Sequence, residues 1–119
     1  MKVLSRDDIR ALDDSVRVPV EIPEWGGVVY VRSMTALERD RFEASLIEMR
    51  KGKQRLNLDN ARARLAVMVC VDENGKPLFQ QSDVGWLAAK NAAALDRIFE
   101  VASDLSRLSA DDVEELTKN

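Results

Sequence analysis

At 119 residues the chain is long enough for one domain with a real core, and 45% hydrophobic and 33% charged residues suit a water-soluble globular protein. A net charge of −3 argues against nucleic acid as the default partner. The absence of histidine removes the commonest general base and metal ligand, and the single cysteine, Cys70, excludes an intramolecular disulfide and a thiol-rich metal site.

Ser5-Arg6-Asp7-Asp8 reads as an N-cap with an acidic first turn, predicting a short helix over about 6–14 with Ile9 and Leu12 inward. Over 16–33 the period changes to two. Val16, Val18, Val20 and Ile22 alternate with Arg17, Pro19, Glu21 and Pro23, Glu24-Trp25-Gly26-Gly27 supplies a turn, and Val28 to Ser33 returns as a second strand. Proline has no N–H, and residues of one parity share one in-plane side, so the odd side is expected to be an unpaired edge. Thr35-Ala36-Leu37-Glu38 is a capping box opening a helix over about 36–50, with Leu37, Phe42, Leu46 and Met49 inward. Residues 51–56 then read as a mobile basic loop. A helix over about 58–71 carries Ala61, Leu65, Met68 and Val69 on one face, and Asp72 to Pro77 is a turn.

Ser82-Asp83 caps a longer helix over about 83–107. Val84, Ala88, Asn91, Leu95, Ile98, Ala102 and Leu105 form a heptad-like seam on it, readable as internal packing or as a helix–helix interface with a polar Asn91 in register. A last short helix is expected over about 110–117. The expected fold is α+β, predominantly α: one domain over 1–119, a compact bundle of about five helices with one N-terminal β-hairpin packed on it.

No catalytic, phosphate-binding or metal-binding motif is present, and the paired acids (Asp7-Asp8, Asp13-Asp14, Asp111-Asp112, Glu114-Glu115) fall at helix ends or on solvent faces. The reading is therefore a non-enzyme without cofactor or metal. Cys70 follows Val67-Met68-Val69 and is expected to be a small buried hydrophobe. No apolar run reaches membrane-spanning length and the N-terminus lacks a signal-peptide core, so no membrane role and a cytoplasmic location are expected.

The run Val20-Glu21-Ile22-Pro23-Glu24-Trp25-Gly26-Gly27-Val28-Val29-Tyr30-Val31-Arg32, followed by Thr35 and by Glu38-Arg39-Asp40-Arg41-Phe42-Glu43, resembles the tail assembly chaperones of long-tailed, siphovirus-type bacteriophages and prophages. The resemblance continues through Val69-Cys70-Val71-Asp72-Glu73-Asn74-Gly75-Lys76-Pro77-Leu78-Phe79, Ala92-Ala93-Ala94-Leu95-Asp96-Arg97-Ile98-Phe99 and Asp112-Val113-Glu114-Glu115-Leu116, from about Val16 onward. It implies a non-enzymatic protein of the bacterial host cytoplasm, not expected in the mature virion. Such a protein binds the tape measure protein, keeps it soluble, and helps recruit tail tube subunits. In such systems a longer form made by translational frameshifting recruits the tube protein, and the terminal Lys118-Asn119 pair is encodable by a run of adenines.

A holdase for amphipathic helices needs apolar surfaces that engage many similar segments. The candidates are Trp25 at the hairpin turn (otherwise a core plug), the hairpin's second face around Val29 and Val31, and the seam at Leu95, Ile98 and Phe99. The basic loop Arg50, Lys51, Lys53 and Arg55 is either a solvated linker or a binding patch. Self-association into dimers or rings fits the same role. Alternatives that stay open are a structural phage component, such as a head–tail connector or minor tail protein, and a small nucleic-acid-binding regulator.

Overall fold

The computed structural model describes residues 1–107. The helix expected over 110–117 lies outside them. Ten regular elements follow one another among the described residues: α1 Arg6–Ala11, β1 Arg17–Ile22, β2 Gly27–Arg32, α2 Ala36–Ser45, β3 Ile47–Arg50, β4 Lys53–Leu56, α3 Ala61–Val69, β5 Cys70–Val71, α4 Val84–Leu87 and α5 Ala92–Ser106. They form a mixed α+β fold with two small sheets, β1-β2-β5 and β3-β4, in place of the single expected hairpin.

The 16–33 hairpin forms with Val18 opposite Val31 and Val20 opposite Val29, and its turn is a 3-10 segment Pro23–Trp25 closed by Gly26 at φ 69°. Positive φ is cheap only for glycine, which explains Gly26 at this position. Ser33 N donates to Val16 O at 2.8 Å. Bonded and non-bonded pairs alternate along an antiparallel ladder, so the even residues of β1 bond to β2 and Pro19 lies on the open edge. β1 is indeed the edge strand, and the other side of β2 is taken by β5, whose two residues were expected to end a helix. Cross-strand partners share a face. Val20, Ile22 and Val31 are buried against the helices, and Tyr30 lies on the other face beneath the Arg17 guanidinium, 6.0 Å from the ring centre.

α2 begins at the expected capping box, with Thr35 Oγ1 accepting from Glu38 N and Glu38 Oε1 accepting from Thr35 N. It stops at Ser45, five residues short of the expected end. The reason lies in the next eight residues. Lys51 (φ 51°) and Gly52 (φ 76°) form a two-residue turn with positive φ at both positions, the geometry that matches hairpin twist. Residues 47–50 and 53–56 therefore pair as strands, Arg50 opposite Lys53, and the expected mobile loop 51–56 is corrected to a turn and a strand.

α3 is the centre of the body. It starts at Ala61, after Asn60 in the left-handed region (φ 57°), and buries Ala61, Ala63, Leu65, Ala66, Val67 and Val69. The expected 83–107 helix is broken into a 3-10 turn Gln81–Asp83, α4 and α5. The break has a local cause: Asn91 is the N-cap of α5, its Oδ1 accepting from Ala93 N at 2.8 Å. Asn91 thus sits at a helix junction, and Leu95, Ile98 and Ala102 of the seam pack inward with Ala94 against the body. Cys70 is buried as expected, and burial pushes its thiol up to about 12.

Candidate partner-binding surfaces

The candidate residues fall into two groups. Val31, Leu95 and Ile98 are 0%, 4% and 1% exposed, so they belong to the core and present nothing to a partner in this conformation. The reading of Val29 and Val31 as the hairpin's second face is corrected by register. Both pair with the inward residues Val20 and Val18, and the second face carries Val28 and Tyr30 instead. Trp25 is half-buried against the core, as a plug, and its turn is latched to α5 by Arg97 Nε, which donates to Glu24 Oε1 (2.5 Å) and Oε2 (3.0 Å). Phe99 is half-buried too, edge-on to Phe42 with ring centres 6.4 Å apart and beneath the Arg62 guanidinium.

What is exposed lies elsewhere. α1 carries a full capping box between Ser5 and Asp8 yet buries no residue, and Ile9 and Leu12, expected inward, are 57% and 59% exposed. The chain turns extended at Leu12 and carries the helix away from the body instead of folding it back. The β3-β4 hairpin projects as a second arm. Its register puts Ile47, Met49 and Leu56 on one face and Glu48, Arg50, Lys53 and Arg55 on the other. Met49 and Leu56 are 64% and 42% exposed. The basic residues Arg50, Lys51, Lys53 and Arg55 are thus the charged face and tip of an amphipathic ribbon. The radius of gyration is 16.0 Å, against about 13 Å for a compact chain of this length, consistent with two projecting elements.

The arm is held at its base. Leu46 is buried, and Asn57 N donates to Leu46 O at 2.5 Å. Arg64 of α3 spans both ends: Nη1 donates to Ser45 O (3.3 Å) and Ser45 Oγ (2.7 Å), and Nη2 to Asn57 O (3.3 Å). Arg64→Ala is expected to loosen the arm without unfolding the body. Tryptic cleavage between Arg50 and Arg55 should accelerate about tenfold while the melting of α5 changes little, the equivalent of about 1.4 kcal/mol of local stability. An unchanged cleavage rate would mean that the fork does not hold the arm.

Beside this fork, the end of β2, α2, α3 and the 77–81 segment border an open cleft of about 350 Å³ whose charged lining is Arg32, Glu38, Arg41 and Arg64. Glu38 is fully engaged there, its two oxygens taken by Arg32 Nη1 (2.8 Å) and Nη2 (2.7 Å). This pairing, aided by the Thr35 N–H, holds the Glu38 carboxyl at about 2. These arginines share no local pattern, since Arg32 of β2, Arg41 of α2 and Arg64 of α3 meet only in the folded chain.

A family model for phage tail assembly chaperones matches residues 6–119. The chain belongs to the phage tail assembly chaperone family. In fold this family member is similar to the tail assembly chaperone of bacteriophage HK97, with a TM-score of 0.60 at 16% identity, over 87% of this chain and 94% of that one. No curated protein matches it. Among the described residues of the chaperone, no helix is long and apolar enough to cross a membrane.

Proposed function

We propose that this chaperone binds the tape measure protein through its two projecting apolar elements, keeps it soluble, and helps recruit tail tube subunits during tail assembly in the host cytoplasm. The observation that carries the reading is a packed body that leaves Ile9, Leu12, Met49 and Leu56 exposed on α1 and the β3-β4 arm. Apolar side chains on structured projections, away from the core that fixes the fold, suit contact with helical apolar segments. Each contact is small, so many copies along one long partner, with self-association between them, would act by avidity. Recruitment of tube subunits would fall to a frameshifted longer form. The chemistry is non-covalent and needs no cofactor.

The test is co-expression with the tape measure protein of the same phage or prophage. A soluble complex that is lost when this chain is omitted is the expected result. The double variant Met49→Lys with Leu56→Lys should fold within about 0.5 kcal/mol of the parent, because both sites are exposed. It should recover at least about tenfold less partner. Undiminished recovery would remove the arm from the binding surface, and recovery of the chain in purified virions would point to a structural component instead.

A further inference from the structure

The α2–α3 cleft has an electrostatic imbalance that the fold itself does not use. Its lining carries Arg32, Arg41 and Arg64 but a single acid, Glu38, which leaves two positive charges in excess in a protein of net charge −3. Glu38 is consumed by Arg32. Arg64 is bonded to uncharged oxygens only, and its Nε is buried with no hydrogen-bond partner. Arg41 is exposed and makes no ion pair among the described residues. A partly buried guanidinium without a counter-ion is held at a cost in solvation that an incoming anion would relieve. Phe42 and Val67 form the buried floor of the same cleft, and half-buried Met68 offers an apolar contact beside the two unneutralised cations.

We propose that this cleft docks an acidic amphipathic helical segment of the partner protein, an apolar side chain lying against Met68 and a neighbouring glutamate or aspartate taken by Arg41 and Arg64. The proposal rests on the chaperone reading for the helical character of the partner. A helix places an acid and an apolar residue on one face at spacings of three or four residues, about 5–6 Å apart, which suits adjacent apolar and cationic walls. Guanidinium groups favour carboxylate, and a recess with an apolar wall suits an isolated charge better than a nucleic-acid backbone, which needs cations spread along an open track. The arms would supply sequence-tolerant apolar contact, and the cleft would select partner segments by charge.

The probes are two synthetic helical peptides of about 15 residues with the same leucine stripe, one bearing glutamates beside the stripe and the other glutamines, titrated into the full chain by calorimetry. The glutamate peptide should bind about tenfold more tightly, a difference of about 1.4 kcal/mol. Arg41→Gln should remove most of that preference without moving the melting temperature, and Arg41→Lys should retain part of it. Equal binding of the two peptides overturns the proposal. So does a preference that survives Arg41→Gln, a glutamate preference displaced by a single-stranded oligonucleotide, or an Arg41→Gln change that alters only the oligomeric state. The outcome is separable from that of the chaperone reading. A glutamate preference abolished by Arg41→Gln supports the cleft even if co-expression yields no tape measure complex, and equal peptide binding overturns it even if the complex forms.

Discussion

Replacing Ile98 with alanine is expected to cost about 2–5 kcal/mol of folding stability. Ile98 is 1% exposed on α5, in the same buried cluster as Leu65 and Val69 of α3 and Ile22 and Val31 of the hairpin. Truncation removes its transfer free energy and leaves a cavity that a body built on alanine-rich α3 has little means of filling, because alanine side chains have no rotamers with which to collapse inward. Urea denaturation should show a lower midpoint with an unchanged slope, the pattern of lost packing without a changed unfolded state. A loss below about 1 kcal/mol would show that this face is not tightly packed and would return Leu95 and Ile98 to the partner-binding surface. Met49→Ala on the arm provides the contrast: at 64% exposure it should stay within about 0.5 kcal/mol of the parent.

Glu38→Gln is expected to destabilise the fold by about 1–3 kcal/mol at neutral pH. Glu38 ties three features together. It accepts the two-pronged Arg32 bond at the end of β2, it accepts the Thr35 N–H that completes the α2 cap, and its side chain is only 29% exposed. Glutamine keeps the shape and one acceptor oxygen but leaves Arg32 without its counter-ion. The pH dependence follows from the same contact. Arg32 holds the folded-state carboxyl at about 2, below its ordinary value of 4.5, so between those values the unfolded chain binds more protons than the folded one. The stabilisation is therefore complete above about pH 4.5 and is lost as pH falls toward 2. Thermal melts at pH 7 and pH 3 should show the gap between the parent and Glu38→Gln narrowing at the lower pH. A constant gap would mean that the Arg32 pair does not set the carboxyl's affinity for protons.

Part of this molecule could be read from local chemistry because the relevant interactions span only a few residues. The hairpin register follows from a period of two and two prolines, the start of α2 from Thr35 and Glu38, and the turn after β5 from Asp72, whose Oδ1 accepts the N–H groups of Asn74 and Lys76. Other segments contained two consistent signals. Leu46 and Met49 extend a helical stripe from Phe42, while Ile47, Met49 and Leu56 also alternate as strand residues around Lys51-Gly52. The turn chemistry of that dipeptide, with both residues at positive φ, decided for the hairpin. In the same way Val84 to Leu105 keeps a helical seam throughout, and Asn91 interrupts the backbone because its side chain competes for the N–H of Ala93.

By itself, then, the sequence determined the α+β character, the proline-guarded edge, the capped helix starts and the aliphatic core with its buried Cys70, all of which depend on neighbours within a turn or a strand pair. Tertiary structure alone decided which apolar stripes stay exposed. Ile9 and Leu12 have the same amphipathic spacing as a buried face, but whether the body lies against a stripe depends on the path of the chain between elements. Tertiary packing likewise brought Arg32, Arg41 and Arg64 to one cleft, because they sit on β2, α2 and α3 and become neighbours only when these three elements assemble.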